Sequence, residues 1–213
     1  MRYDAVIFDL DGVICHTDAF HYQAWKSLAD TMGIYFDEQI NNRLRGVSRM
    51  ESLDIILEKY DGEPLSDVEI SRIADEKNDL YKSLLMQMDE SYLSESVKST
   101  LETLRKNGVK LAIGSSSKNA KLILDRIGLG DFFDATSDGN NIQFSKPHPQ
   151  VFLLAAEYLS LSPAACLVVE DARAGIEAAV AGGFDSAGIG DATEDERATY
   201  RIKAFDELLT IVL

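Results

Sequence analysis

Asp9 and Asp11 stand two residues apart at the end of the apolar run Ala5-Val6-Ile7-Phe8 and are followed by Gly12-Val13. In an extended segment residues i and i+2 face the same side, so this spacing directs both carboxylates to one site at a strand end. Like charges that close need a counter-charge. Mg²⁺ matches, because it takes a few carboxylates together with substrate phosphate oxygens. A helix cap beside an Asp-Gly turn would use the same residues, but three further segments argue against it. A second apolar run, residues 109–114, enters the hydroxyl and amide cluster Ser115-Ser116-Ser117-Lys118-Asn119. Where such a cluster opens a helix, backbone N–H groups and the helix dipole can hold phosphate. Ser145-Lys146-Pro147 sets a cation before a proline that would start a helix, and a third apolar run, 166–169, ends in the acidic pair Glu170-Asp171. Each segment alone reads as a cap or a solvated turn; in this order they describe a metal-assisted phosphate site.

Those residues need a scaffold that brings several strand ends together. From about residue 17 to 87 the apolar positions recur at three- and four-residue steps, as in Ala24, Leu28 and Met32 or Leu53, Ile56, Leu57 and Tyr60, which is helical periodicity. Asp61-Gly62-Glu63-Pro64 breaks the pattern as a turn, and Ser66-Asp67-Val68-Glu69 opens the next helix as a capping-box variant. From about 95 onward, helices and short apolar strands alternate: helix 95–107, strand 109–114, helix 118–127, strand 134–137, helix 147–159, strand 166–169, helix 172–181 and strand 185–189. This alternation predicts an α/β fold with a doubly wound, Rossmann-like parallel-sheet core. The helical stretch after the first strand is then a small all-helical cap domain, residues 17–87, on a core of 1–16 and 88–213. Segments 13–18 and 86–94 are the expected hinges. Cap closure would cover the strand ends where such sheets bind ligands.

The chain has 213 residues, 46% of them hydrophobic, and a formal net charge of −15. That is enough apolar content for a sizeable core. The acidity disfavours nucleic acid and anionic membrane as partners. No apolar run reaches the roughly 18 residues that suggest a membrane span, and no basic-plus-apolar leader is visible, so a cytoplasmic location is expected. Cys15 and Cys166 lie in apolar context and read as buried thiols, not a disulfide. A phosphorylated substrate would itself be an anion, so Arg45, Arg49, Lys118 and Lys146 must offset the global field locally, helped by the metal.

Asp9-x-Asp11-Gly12-Val13, Ser115, Lys146-Pro147 and Glu170-Asp171 resemble the four motifs of the haloacid dehalogenase-like superfamily of phosphoryl-transfer enzymes. Arg45-Gly46-Val47-Ser48-Arg49, with Thr17, His21 and Trp25 upstream and Ser115 to Asn119 downstream, narrows the resemblance to its β-phosphoglucomutase family. The resemblance runs over nearly the whole chain. It implies Asp9 as nucleophile, Asp11 as general acid and base, and Ser115 and Lys146 as donors to the transferring phosphoryl group. Metal ligands would be Asp9, the main-chain carbonyl of Asp11, and Asp171, with Glu170 direct or through water.

The remaining candidates are implied as substrate contacts: Thr17, His21, Trp25, Arg45, Gly46, Val47, Ser48, Arg49, Ser116, Ser117, Lys118 and Asn119. Arg49, with its planar fork, would clamp a distal phosphate, while Thr17 and His21, one helical turn apart, would couple cap closure to the acid and base. The implied activity interconverts β-D-glucose 1-phosphate and D-glucose 6-phosphate through the 1,6-bisphosphate and an aspartyl phosphate. The expected protein is a monomer acting on a small sugar phosphate. A sugar-phosphate phosphatase on the same scaffold is the alternative; a silent sugar-phosphate sensor would have no use for a nucleophile. Two positions depart from the family pattern: Arg45 where Lys is usual, and His16 where Asp is usual. The first could alter sugar contacts and the second could make the hinge respond to pH.

Overall fold

In the computed structural model, which describes residues 2–213, six strands form one parallel sheet in the order β3-β2-β1-β4-β5-β6. They are β1 (Ala5–Phe8), β2 (Lys110–Gly114), β3 (Ala135–Ser137), β4 (Cys166–Glu170), β5 (Asp185–Gly188) and β6 (Tyr200–Arg201). Met1 of the expected core lies outside the described residues. β1 is central, pairing Val6 with Leu111 on one side and with Leu167 on the other. Its four residues are all buried, as a strand covered on both faces requires.

The period of two sorts them. Val6 and Phe8 join an apolar cluster with Ile113, Val169, Leu101 and Leu124, against α5 (Glu95–Lys106) and α6 (Ala120–Arg126). Ala5 and Ile7 join the opposite cluster with Val168, Phe152 and Ala178, against α7 (Gln150–Tyr158) and α8 (Arg173–Ala181). A short α9 (Leu208–Val212) closes the chain.

Between β1 and α5 run four helices, α1 (Asp18–Thr31), α2 (Glu38–Asn42), α3 (Arg49–Leu57) and α4 (Asp67–Leu85). They share an apolar cluster of their own around Trp25, Phe36, Leu53, Ile56 and Ile73. The expected capping box opens α4, with Ser66 accepting from the Glu69 N–H and the Glu69 carboxylate accepting from the Ser66 N–H; Ser48 and Glu51 form a second one at α3. Neither Asp61 to Pro64 nor any other part of this stretch forms a strand.

Two helices start two or more residues later than expected. α7 starts at Gln150, not 147, with Pro149 at its N-cap; His148 precedes that proline, which disfavours helical geometry there. Pro147 is therefore not a helix-starting residue. α6 starts at Ala120, not 118, because the Ser115 and Ser117 hydroxyls accept from the N–H groups of Ser117 and Asn119 and hold the backbone in turns that compete with helix. The two-residue β6 was not expected, being too short to carry a period. No helix among the described residues is long and apolar enough to cross a membrane.

Candidate active site

The carboxyl ends of β1, β2 and β4 converge on one site. Past β1 the chain turns back on itself, with the Gly12 N–H donating to the Cys15 carbonyl at 2.7 Å. Gly12 has φ +89°, and a Cβ there would fall on the Asp171 carboxyl, so both the turn and the approach of Asp171 require glycine. At Gly175 a Cβ would likewise fall on the Glu170 carboxyl.

Lys146 is fully buried and bridges two of the carboxylates, Asp9 and Glu170, at 2.5 Å each. Glu170 also accepts from the Ala172 N–H at 2.8 Å. Asp9, Glu170 and Asp171 each place a carboxylate oxygen within 4.8 Å of the others. Burial, with the neighbouring carboxylates, pushes Asp9 well above the usual carboxylate range and Asp171 up to about 7; Lys146 and Arg45 respectively oppose the shift. The Lys146 ammonium is held upward by Asp9 and Glu170 in spite of its burial. The cluster thus carries more negative charge than its own cations neutralise, which suits a divalent cation with oxygen preference. Glu170, already holding Lys146 and a backbone N–H, has the least freedom to join as a ligand.

Asp11 is half-buried beside them. Desolvation raises it to about 6, against the opposing hydrogen bond from the Thr17 hydroxyl. An acid near 6 can both give and take a proton at neutral pH. Thr17 itself is fully buried behind Asp11 and does not line the cavity, so its expected substrate contact is replaced by a grip on the Asp11 carboxylate. Cys15 is also buried, and burial with the nearby Asp11 and Asp9 raises its thiol, which disfavours the thiolate. Both cysteines are unpaired by disulfide.

A cavity of about 1050 Å³ lies over Asp9, Asp11, Asp171 and Ser115 and under α1 to α4. Its wall contains the expected His21, Trp25, Gly46, Val47, Ser48, Arg49, Ser116, Ser117, Lys118 and Asn119. The helical layer reaches the core through Asn119, which donates to Asn78 at 2.9 Å, and through Ser116, which donates to the Gly46 carbonyl at 3.3 Å.

The cations divide into two groups. Arg45 pairs with Asp171, with Asp191 at 2.7 Å and with Asp18 at 3.3 Å. Its charge is already committed, and the expectation that it offsets a substrate anion does not hold in this arrangement. Lys146 engages Asp9 and Glu170 with two of its three N–H donors. Among the described residues Arg49 pairs only with Asp75, at 3.4 Å, and burial lowers its guanidinium despite Asp75 and Asp79. A cation desolvated without full compensation is prepared for an anion. Trp25, almost wholly buried within the wall, has the Lys77 ammonium 4.2 Å from its ring centre. His16 is exposed at the chain's entry to α1.

Lys77 was missed by sequence reasoning. It is buried on α4, 3.1 Å from His21 Nδ1 and 4.7 Å from the Tyr81 ring centre. A signal existed: Ile73, Ala74, Lys77, Asn78, Tyr81, Leu84 and Leu85 form one buried stripe, so Lys77 and Asn78 interrupt an apolar helical period. Desolvation brings Lys77 down to about 7, with Arg49 adding to the effect and Asp11 opposing it, and pushes His21 well below its usual value.

A stability prediction follows for Lys77→Met. Below pH 7 the folded and unfolded chains both bind the Lys77 proton, and the folded state bears the cost of the buried charge. Between about 7 and the unfolded value near 10.4, only the unfolded chain binds it, so wild-type stability gains with rising pH. Lys77→Met should therefore be more stable than wild type at pH 6.5, with the difference narrowing by pH 9.5. Urea melts of both proteins at the two pH values measure this; a constant difference would refute the assignment.

Residues 3–183 match the model of the haloacid dehalogenase-like hydrolase family. The β-phosphoglucomutase of Bacillus subtilis (strain 168) is 40% identical over 187 residues, covering 87% of this chain and 83% of its own. Fructose-1-phosphate phosphatase YqaB of Escherichia coli (strain K12) is 32% identical over 185 residues, covering 87% of this chain and 95% of its own. Among solved structures, the β-phosphoglucomutase of Clostridium difficile superposes with a TM-score of 0.91 at 38% identity, covering 97% of this chain and 93% of that one.

Proposed function

The chain belongs to the haloacid dehalogenase-like hydrolase family, and we propose that it works there as a Mg²⁺-dependent isomerase interconverting β-D-glucose 1-phosphate and D-glucose 6-phosphate. The observation that carries this reading is the second anion position. One cavity holds the Asp9 and Asp11 end and, on the helical layer, the under-compensated Arg49, with Lys118 in the same wall. A mutase must hold a bisphosphate by both phosphates, in two orientations; a simple phosphatase needs only the first position. The similarity to β-phosphoglucomutases supports the reading.

In this mechanism an Asp9 oxygen attacks phosphorus as the bond from phosphorus to the sugar oxygen breaks, leaving an aspartyl phosphate. Asp11 hands its proton to the departing oxygen and later takes one from the incoming sugar hydroxyl, with Thr17 orienting it. Ser115 and Lys146 are the donors for the phosphoryl oxygens. Mg²⁺, held by Asp9, the Asp11 carbonyl and Asp171, with Glu170 direct or through water, would neutralise charge between the carboxylates and the phosphoryl group. The α1 to α4 layer acts as a cap hinged at 13–18 and 86–94, and its closure keeps water from the aspartyl phosphate. The site takes a small sugar phosphate in a cytoplasmic monomer, with neither nucleic acid nor membrane as partner.

The test is β-glucose 1-phosphate with Mg²⁺ and a trace of the 1,6-bisphosphate, following glucose 6-phosphate and free phosphate together. Isomerisation without matching phosphate release supports the mutase. Steady phosphate release without isomerisation would favour the second reading, a sugar-phosphate phosphatase, towards which the Escherichia coli relative points.

Arg49→Ala separates the two phosphate positions. It should lower mutase turnover by roughly 10- to 100-fold, the scale of a lost charge-assisted hydrogen bond, while hydrolysis of acetyl phosphate, which has no distal phosphate, stays near wild type. Equal losses in both assays would remove Arg49 from the distal position.

A further inference from the structure

Phe144 and His148 lie in the wall of the active-site cavity on the loop before α7, and neither is used by the chemistry above. Phe144 is 56% exposed, its ring centre 4.9 Å from that of His148. A scattered surface phenylalanine needs no explanation, but this pair is held in place. Gln150, the first residue of α7, accepts with Oε1 from the N–H groups of Gln143 and Phe144 at 2.9 Å each. The Gln150 N–H in turn donates to His148 Nδ1 at 3.2 Å, and the His148 N–H donates to the Ser145 carbonyl at 2.9 Å. Three hydrogen bonds around one glutamine thus fix an exposed aromatic pair, with Met50 of α3, itself 44% exposed, in the same cavity wall. The cavity, about 1050 Å³, is at the upper end of small-molecule sites, roughly 300–1,000 Å³, so its volume admits a hexose phosphate.

The geometry points to a sugar-stacking wall: Phe144, backed by His148 and positioned by Gln150, binds the apolar face of a pyranose ring and selects cyclic sugar phosphates over acyclic ones. This deepens the sugar-phosphate reading and rests on it. An aromatic ring offers an apolar face at low conformational cost, and the hydroxyls of a pyranose stacked on it stay free for polar side chains elsewhere in the wall. Asn41, Ser48 and Lys118 supply those in the same cavity.

The test is calorimetric binding to the Mg²⁺-loaded protein of glucose 6-phosphate and of glycerol 3-phosphate, which carries phosphate without a ring. Phe144→Ala should weaken glucose 6-phosphate between about threefold and tenfold, the scale of one aromatic contact, and leave glycerol 3-phosphate unchanged. Phe144→Tyr should restore wild-type binding, and Gln150→Ala should weaken glucose 6-phosphate in the same direction through the loop. Because Phe144 is exposed, thermal melts of its variants should match wild type. Unchanged glucose 6-phosphate binding in Phe144→Ala, or equal weakening of both phosphates, would overturn the wall. Turnover of β-glucose 1-phosphate by the wild type, measured alongside, tests the mutase reading separately: its failure with selective loss of ring binding would sink the mutase and leave the wall.

Discussion

Asp9→Asn is expected to lower phosphoryl transfer by at least about 10⁴-fold, the order seen when a nucleophile acting within a unit is removed, while the fold stands. The amide keeps the shape of the carboxyl but has no anionic oxygen to attack phosphorus. Lys146 retains Glu170 at 2.5 Å as its partner, so no buried ammonium is orphaned. Burial and three neighbouring carboxylates raise Asp9 well above its usual range, which means its ionised form is unfavourable where it sits. Neutralising it removes that cost, and the melting temperature of the variant should equal or exceed that of wild type. The direct measurement is acid-quenched protein after exposure to radiolabelled acetyl phosphate: hydroxylamine-labile label in wild type, none in the variant. Surviving sugar isomerisation in Asp9→Asn would exclude the covalent route through this residue.

Asp9 was legible because its signal is local. A strand buried on both faces must be continuously apolar, so two carboxylates at its end stand out in one sequence, and the same holds for Glu170-Asp171 after β4. The parallel sheet was legible for a similar reason, since strands and helices alternate at distinct periods over 95–189. What was hidden depends on partners far along the chain. Arg45 reads in the sequence as a substrate cation, whereas Asp171 and Asp191, well over a hundred residues away, hold it. Thr17 looked like a ligand and is a support for Asp11. Lys77 and Asn78 could have been found as polar breaks in the apolar stripe of α4, but only a tertiary partner distinguishes a buried lysine from one that reaches solvent. The α7 boundary moved because two prolines lie close together and the second, Pro149, caps the helix.

Lys146→Met should have the largest effect on stability, and its sign with pH identifies the cause. Lys146 is wholly buried between Asp9 and Glu170, with the Phe152 ring centre 4.7 Å from its ammonium. Methionine fills similar volume, so the change isolates the charge. Removing one partner of a buried ion pair costs about 3–5 kcal/mol because the remaining charge is left uncompensated, and here two carboxylates are left. The protein has an escape, which is protonation of Asp9. Lys146 is the main neighbour lowering Asp9, against Glu170, Asp171 and Asp11, which raise it; without Lys146, Asp9 rises further above its unfolded value. A folded state that binds the proton more tightly than the unfolded chain loses stability as pH rises through that interval. Asp11, near 6, and Asp171, near 7, lose the same lowering charge, so the deficit of Lys146→Met relative to wild type should be smallest near pH 5 and grow toward pH 8, while titrations of groups remote from Lys146 cancel in the difference. Added Mg²⁺ should recover part of the loss at pH 8 by supplying the missing positive charge, without restoring the proposed donor to the phosphoryl oxygens. Urea melts of both proteins at pH 5.5 and 8, with and without Mg²⁺, decide it: a pH-independent deficit would mean that packing against Phe152, and not the buried charge balance, is what Lys146 contributes to the fold.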